Sequence, residues 1–92
     1  MRIIVCYMAQ VKQATGVAAE AVELERPCPL PDLLALLADR HGAALRKLLF
    51  AADGSLQPGL LVFVGEEQAD PDDTRLLGED EVVTILSPMA GG

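Results

Sequence analysis

Tryptophan is absent from this chain of 92 residues, and the aromatic side chains are Tyr7, Phe50 and Phe63 alone. A core built from this sequence therefore has to be packed from Leu, Val, Ile and Ala. A chain of this length makes one domain and buries only about 60 to 65% of the surface that its unfolded form exposes, so that core must be single and compact. No apolar run approaches the roughly 18 residues of a membrane span. The N-terminal residues also lack the basic region, long apolar stretch and cleavage site of a secretory signal. A cytoplasmic protein without a membrane partner is the expectation.

Positive charge is scarce as well, with seven bases against fourteen acids and a net charge of -7. Eight of the acids fall between Glu66 and Glu81. A phosphate backbone is repelled by such a surface, which argues against nucleic acid. The acidic stretch reads either as a contact for a basic protein surface or as a solvated loop.

Catalytic apparatus is missing too. The sequence holds one histidine, His41, and no HExxH, GxSxG, Walker, GxGxxG or CxxC motif. His41, before Gly42, reads as a helix-end cation near the last carbonyls. Acid pairs such as Asp72-Asp73 have no apolar surround to raise a pKa. Side-chain catalysis needs a base held near a nucleophile or electrophile, so an enzyme is not expected. The two cysteines, 22 positions apart, match no metal or redox spacing. Cys6 reads as a small hydrophobe within a strand, and Cys28, between Pro27 and Pro29, as the more exposed thiol.

The hydropathy pattern supplies elements in the order β, β, α, α, β, β. Arg2 to Met8 is a strand, Gln10 to Gly16 a turn, and Ala18 to Glu25 an alternating strand. Pro31-Asp32 suits the first turn of a helix that carries Leu33, Leu34, Leu36 and Leu37 and ends at Gly42. Ala43 to Phe50 forms a second short helix, Leu60 to Val64 a strand, Gly65 to Asp73 an acidic loop, and Val82 to Leu86 the last strand. This order makes an α+β sheet rather than a doubly wound one. Alternation puts Ile3, Val5 and Tyr7 on one face of the first strand and Ile4, Cys6 and Met8 on the other. In the last strand Val83 and Ile85 oppose Val82, Thr84 and Leu86. If one face packs on the helix, Ile4, Cys6, Met8, Val82 and Leu86 form an apolar outer face. Docking of a partner on the one hand, and burial beneath a loop or in a homodimer on the other, are readings of equal weight.

The sequence ends Ser87-Pro88-Met89-Ala90-Gly91-Gly92. A core strand runs into a proline, one large apolar residue and three small ones, which reads as a thin tail over 87–92 following a domain over 1–86. Glycines without Cβ pass through a channel too narrow for other residues. The carboxylate of Gly92 is ionised at neutral pH. It is able to attack the α-phosphate of ATP when a partner enzyme supplies magnesium and positive groups.

Tyr7-Met8-Ala9-Gln10-Val11 resembles the opening of the molybdopterin-synthase small subunit. Gly78-Glu79-Asp80-Glu81-Val82-Val83 followed by Ser87-Pro88-Met89-Ala90-Gly91-Gly92 resembles the closing motif of the same group, the ubiquitin-like sulfur carriers that include the thiamine carrier. The resemblance implies a β-grasp fold, a mixed sheet of four to five strands on one main helix with a second short one. It also implies adenylation of Gly92 by an enzyme of the ubiquitin-activating (E1-like) kind, using ATP and Mg. A sulfur donor such as a cysteine desulfurase or a rhodanese-like protein then converts the adenylate to a thiocarboxylate. On the same resemblance Gly91, Ala90 and Met89 thread into a partner's active site, and Met8 and Leu86 dock the activating enzyme. The carrier itself holds no cofactor or metal, and the acceptor is the large subunit of molybdopterin synthase. Three departures stand out: Gly65-Glu66 replaces the usual Asn-Gly, Ser87-Pro88 replaces a double proline, and Gly78-Glu79-Asp80 replaces Asp-Gly-Asp. Residues 53–64 and 83–86 also resemble carriers that deliver sulfur for cysteine synthesis. A ubiquitin-like modifier joined to lysines through Gly92 is a further reading of the same tail.

Overall fold

A computed structural model of the chain describes residues 1–87. The elements are β1 (Arg2–Met8), α1 (Ala9–Thr15), β2 (Ala19–Glu23), β3 (Cys28–Pro29), α2 (Leu30–His41), α3 (Ala43–Leu49), β4 (Leu61–Val64), β5 (Glu67–Ala69), β6 (Leu76–Leu77) and β7 (Val82–Ser87). Five strands make one sheet in the order β2-β1-β7-β4-β5, with β3 and β6 forming a separate two-stranded pair. β1 and β7 run parallel at the centre, and the remaining neighbours are antiparallel. This is the β-grasp arrangement, a mixed sheet closed around a central helix.

Alternation along β1 and β7 decides which face receives the helices. Ile3, Val5, Val83 and Ile85 have no exposed surface and Tyr7 is 2% exposed. Against them lie Leu33, Leu34 and Leu37 of α2 and Leu45 and Leu49 of α3, all fully buried. Each such leucine contributes about 1.5 to 3 kcal/mol of burial free energy before entropy is charged against it. The spacing 30, 33, 34, 37, 38 places the buried residues of α2 on one stripe, as a 3.6-residue period requires. Pro31 sits at the second helical position, where its missing N–H has no intrahelical role, and Asp32 stands in the positive first turn.

Gly42 joins α2 to α3. Its N–H donates to the Ala38 carbonyl at 2.8 Å and its own carbonyl accepts from Arg46 N–H at 3.1 Å. It holds φ 95° and ψ -164°, a region that side chains with a Cβ essentially avoid.

Four elements differ from the sequence-based expectation. Gln10 to Gly16 is not a turn but most of α1, with Val11 buried beneath it and Gly16 closing it through a 2.8 Å bond to the Lys12 carbonyl. Ala, Gln and Lys are good helix formers, but one buried side chain in seven residues leaves no period to read. The expected acidic loop contains β5, which returns along β4 through Gly65-Glu66, with Val64 opposite Glu67. Gly65 has φ 64° and Glu66 has no positive φ. Glycine at the first central position of a two-residue hairpin serves the turn as Asn-Gly would by a different turn type. β3 and β6 have two residues each, too few for any pattern.

Candidate docking face and strand end

Parallel register sets Ile4 beside Val82, Cys6 beside Thr84 and Met8 beside Leu86. β2 extends this outer face with Ala21 opposite Ile4 and Ala19 opposite Cys6. β4 extends it on the other side, with Leu61 opposite Leu86 and Phe63 opposite Thr84. Nine of these ten side chains are apolar, across four adjacent strands. Met8 is 51% exposed and Val82 39% exposed, while Ile4, Cys6 and Leu86 are half-buried by one another. The five residues that alternation assigned to an outer face thus lie together, and no segment among the described residues covers them. Apart from the Cys6 thiol and the Thr84 hydroxyl, the side chains of this face carry no polar group.

At the downstream end of this face β7 reaches Ser87, which is buried and forms a parallel bridge with Ala9. Ala9 has φ 55°, a left-handed conformation uncommon for alanine, and it turns the chain from β1 directly into α1. The upstream end is tied to β1 by several bonds. Asp80 N–H donates to the Arg2 carbonyl at 2.8 Å, Ile4 N–H to the Glu81 carbonyl at 3.0 Å, and Arg2 N–H to Glu79 Oε2 at 3.1 Å. Asp80, at φ 65°, takes the left-handed position of this turn, a conformation aspartate tolerates better than most residues. Met89, Ala90, Gly91 and Gly92 lie outside the described residues.

A polar cluster on the helix side escaped the sequence reading. Glu20 projects inward from β2 and accepts hydrogen bonds from the Tyr7 hydroxyl and from Arg40 Nη1 at 3.0 Å, and His41 Nε2 lies 2.5 Å from its Oε2. The Tyr7 and His41 rings meet edge to face at a centroid distance of 5.7 Å. His41 is therefore turned toward β2 rather than over the last carbonyls of α2. Burial pushes the Glu20 carboxyl up, but hydrogen bonds from Tyr7, His41 and Arg40 and the nearby His41 charge outweigh it and hold the pKa below the ordinary value. Burial first, then the bond to Glu20, pushes Tyr7 far above its usual range, so its hydroxyl stays protonated as the donor. The cluster joins β1, β2 and α2 through Glu20.

Cys28, like Cys6, is half-buried; it lies across from Leu77 in the small sheet, and burial followed by the neighbouring Asp32 charge raises its pKa. Both changes slow its reaction. Cys6 and Cys28 are free thiols. No cluster of three metal-ligating side chains exists among the described residues, and no described helix is long and apolar enough to cross a membrane.

Comparison with known proteins agrees with this geometry. SAMP1 from Haloferax volcanii superimposes with a TM-score of 0.84 at 21% identity over 100% of both chains. Urm1 from Trypanosoma brucei gives 0.78 at 22% identity, over 99% of this chain and 95% of its own. A protein–protein complex of subunits 1 and 2 of the molybdopterin-converting factor from Helicobacter pylori contains a chain that matches at 0.65 and 17% identity over 100% of both. At these identities the likeness shows the fold. No curated protein matches the sequence. The ThiS family model matches residues 5–92, nearly the whole chain, and the chain belongs to that family of ubiquitin-like sulfur carriers.

Proposed function

We propose that this chain carries sulfur as a thiocarboxylate on Gly92 and delivers it in molybdopterin biosynthesis. The carrying observation is the family match, which runs through the last residue of a chain ending Gly91-Gly92. The uncovered apolar face beside β7 supports it, because a carrier without catalytic groups depends on docking to enzymes. In the first step a carboxylate oxygen of Gly92 attacks the α-phosphorus of ATP and pyrophosphate leaves. The E1-like partner binds the ATP and Mg and neutralises the opposing charges. The terminal sulfur of the persulfide on a cysteine desulfurase or rhodanese-like donor then attacks the acyl carbon and AMP leaves; a second thiol attacks the donor sulfur of the resulting acyl disulfide, forming a disulfide with the donor cysteine and releasing the thiocarboxylate. The thiocarboxylate sulfur is anionic and nucleophilic at neutral pH, and the acyl bond retains it until an acceptor site uses it.

In this division of labour residues 1–87 form the recognition body, one residue longer than the sequence-based boundary because Ser87 is buried at the end of β7, and 88–92 form the tail. Met8, Leu86, Cys6, Ile4 and Val82 contact the activating enzyme, and Met89, Ala90 and Gly91 pass through its channel. The acceptor is a large synthase subunit, a reading that the pairing of subunits 1 and 2 in the Helicobacter pylori complex favours. Intact mass after incubation with ATP, a sulfur source and extract of the source cell tests the chemistry. Replacement of one oxygen by sulfur, lost on deletion of Gly92, is the expected result. An unchanged mass with the activating enzyme present would overturn it. Co-purification with a large synthase subunit separates this pathway from sulfur delivery to cysteine, thiamine or another metabolite.

A second reading, conjugation of Gly92 to lysines of other proteins, draws on SAMP1, a small archaeal modifier protein. Gly-Gly remnants on lysines after digestion distinguish it.

A further inference from the structure

Where β4 and β5 splay apart, a groove leaves the outer sheet face. It opens between Leu61 and Gln68 and passes Pro58, Asp70 and Pro71. A second hollow, which shares Pro58, Asp70 and Pro71 with the first, lies between Pro31, Phe50 and Leu56, with Asp70 and Asp72 on one wall. Leu61 belongs to both surfaces, since it stands opposite Leu86 on the sheet. The walls are rigid. Phe50 and Leu56 are bridged to each other, and three prolines restrict the backbone around them. The acidic wall is a fixed turn, in which Asp72 N–H donates to Asp70 Oδ1 at 3.3 Å and Asp73 N–H to the Asp70 carbonyl at 2.9 Å.

What this groove lacks is a cation. Among the described residues Arg2 pairs with Glu23, Arg40 with Glu20, Arg46 with Asp39, and Arg75 with Glu81 at 3.8 Å. Arg75 is the base nearest in sequence to Asp70 and Asp72, and its ion pair is with Glu81. Neither carboxylate is ion-paired among the described residues, and the nearest bases in the neighbouring surface, Arg46 and Lys47, line an adjoining hollow that shares Phe50 and Gln57. A hydrogen bond to Asp70, then its charge, raises the pKa of Asp72.

We propose that the groove receives an extended basic segment of the protein that docks on the outer sheet face. An arginine or lysine stem lies along Phe50 and Leu56, and its cationic head meets Asp70 and Asp72. Long basic side chains suit such a site because the stem is apolar and the head seeks carboxylate. The preformed walls reduce the entropy lost on binding. The partner's identity as an activating enzyme rests on the carrier reading; the chemistry of the groove's occupant does not.

Two measurements test this. In the first, the isotopically labelled full chain is titrated with acetyl-Leu-Arg-Leu-Arg-amide and, separately, with acetyl-Leu-Glu-Leu-Glu-amide. The arginine peptide is expected to shift the amides of Phe50, Leu56, Ala69 and Asp72, the glutamate peptide to leave them unmoved, and D70N/D72N to abolish the response. In the second, activation by the partner enzyme of the source cell is measured against carrier concentration and salt. D70N/D72N is expected to raise KM roughly fivefold, within the range of two exposed charge pairs, with kcat unchanged and a shallower salt dependence. The E25Q/E66Q variant, which loses the same charge elsewhere, is expected to behave as wild type. Activation that proceeds with an unaltered KM in D70N/D72N, together with no peptide response, overturns the groove and leaves the carrier reading standing. Equal losses in E25Q/E66Q overturn it as general acidity. Concentration-dependent shifts of the same amides without peptide assign the groove to a second copy and overturn it likewise. If the wild type is not activated at all, the carrier reading fails and the peptide titration alone decides the groove.

Discussion

His41 Nε2 lies 2.5 Å from Glu20 Oε2, which ties the last turn of α2 to the edge strand β2. The side chains are 15% and 19% exposed, so water screens the pair only partly. Because its folded-state pKa is depressed, Glu20 contributes stability that is fully present above its unfolded pKa of about 4.3 and is lost as pH falls through the lower folded value. Urea unfolding between pH 7 and pH 3 is expected to show this loss. E20Q is expected to be about 1 to 3 kcal/mol less stable at pH 7 and to respond less to acid.

Gly42 has open space where a Cβ would go, so backbone geometry alone sets the effect of replacing it. G42A is expected to lose about 1 to 3 kcal/mol, read as a lower urea midpoint with an unchanged slope.

Met8 is half exposed on the outer face, so M8K is expected to change folding stability by no more than about 0.5 kcal/mol. Under the carrier reading the same substitution is expected to raise the KM for activation about tenfold or more, because a charge is placed against an apolar contact surface. Loss of stability without loss of activation would give Met8 a structural role instead.

Cys28, raised by burial and by Asp32, is expected to alkylate with iodoacetamide more slowly at pH 7.5 than a free cysteine. D32N is expected to speed it.

Much of the molecule was legible in the residues. Alternation in β1 and β7 separates inner from outer side chains because a strand has a strict period of two, and the leucines of α2 mark its buried stripe equally clearly. Which side of β2 faces inward was not legible. Ala19 and Ala21 turn outward while Glu20 shares the inner side with Val22, since small apolar residues tolerate either face and a carboxylate can be satisfied inside by partners distant in sequence. The solitary His41 near the end of the main helix was the one available hint of that partnership. α1, β3, β5 and β6 escaped because elements of two to seven residues are held by tertiary contacts and hydrogen bonding rather than by any repeating pattern of their own.

The parallel pairing of Ile4 with Val82 and of Met8 with Leu86 also bears on how the protein is made. Such neighbours, nearly a whole chain apart, close a large loop and form late. While the ribosome is still adding β7, the sheet has a gap between β1 and β4 and the outer face has not come together. Nascent or prematurely terminated chains lacking β7 would therefore present no completed face to a partner, so recognition of that face would double as a check that β7 has been made and has docked between β1 and β4.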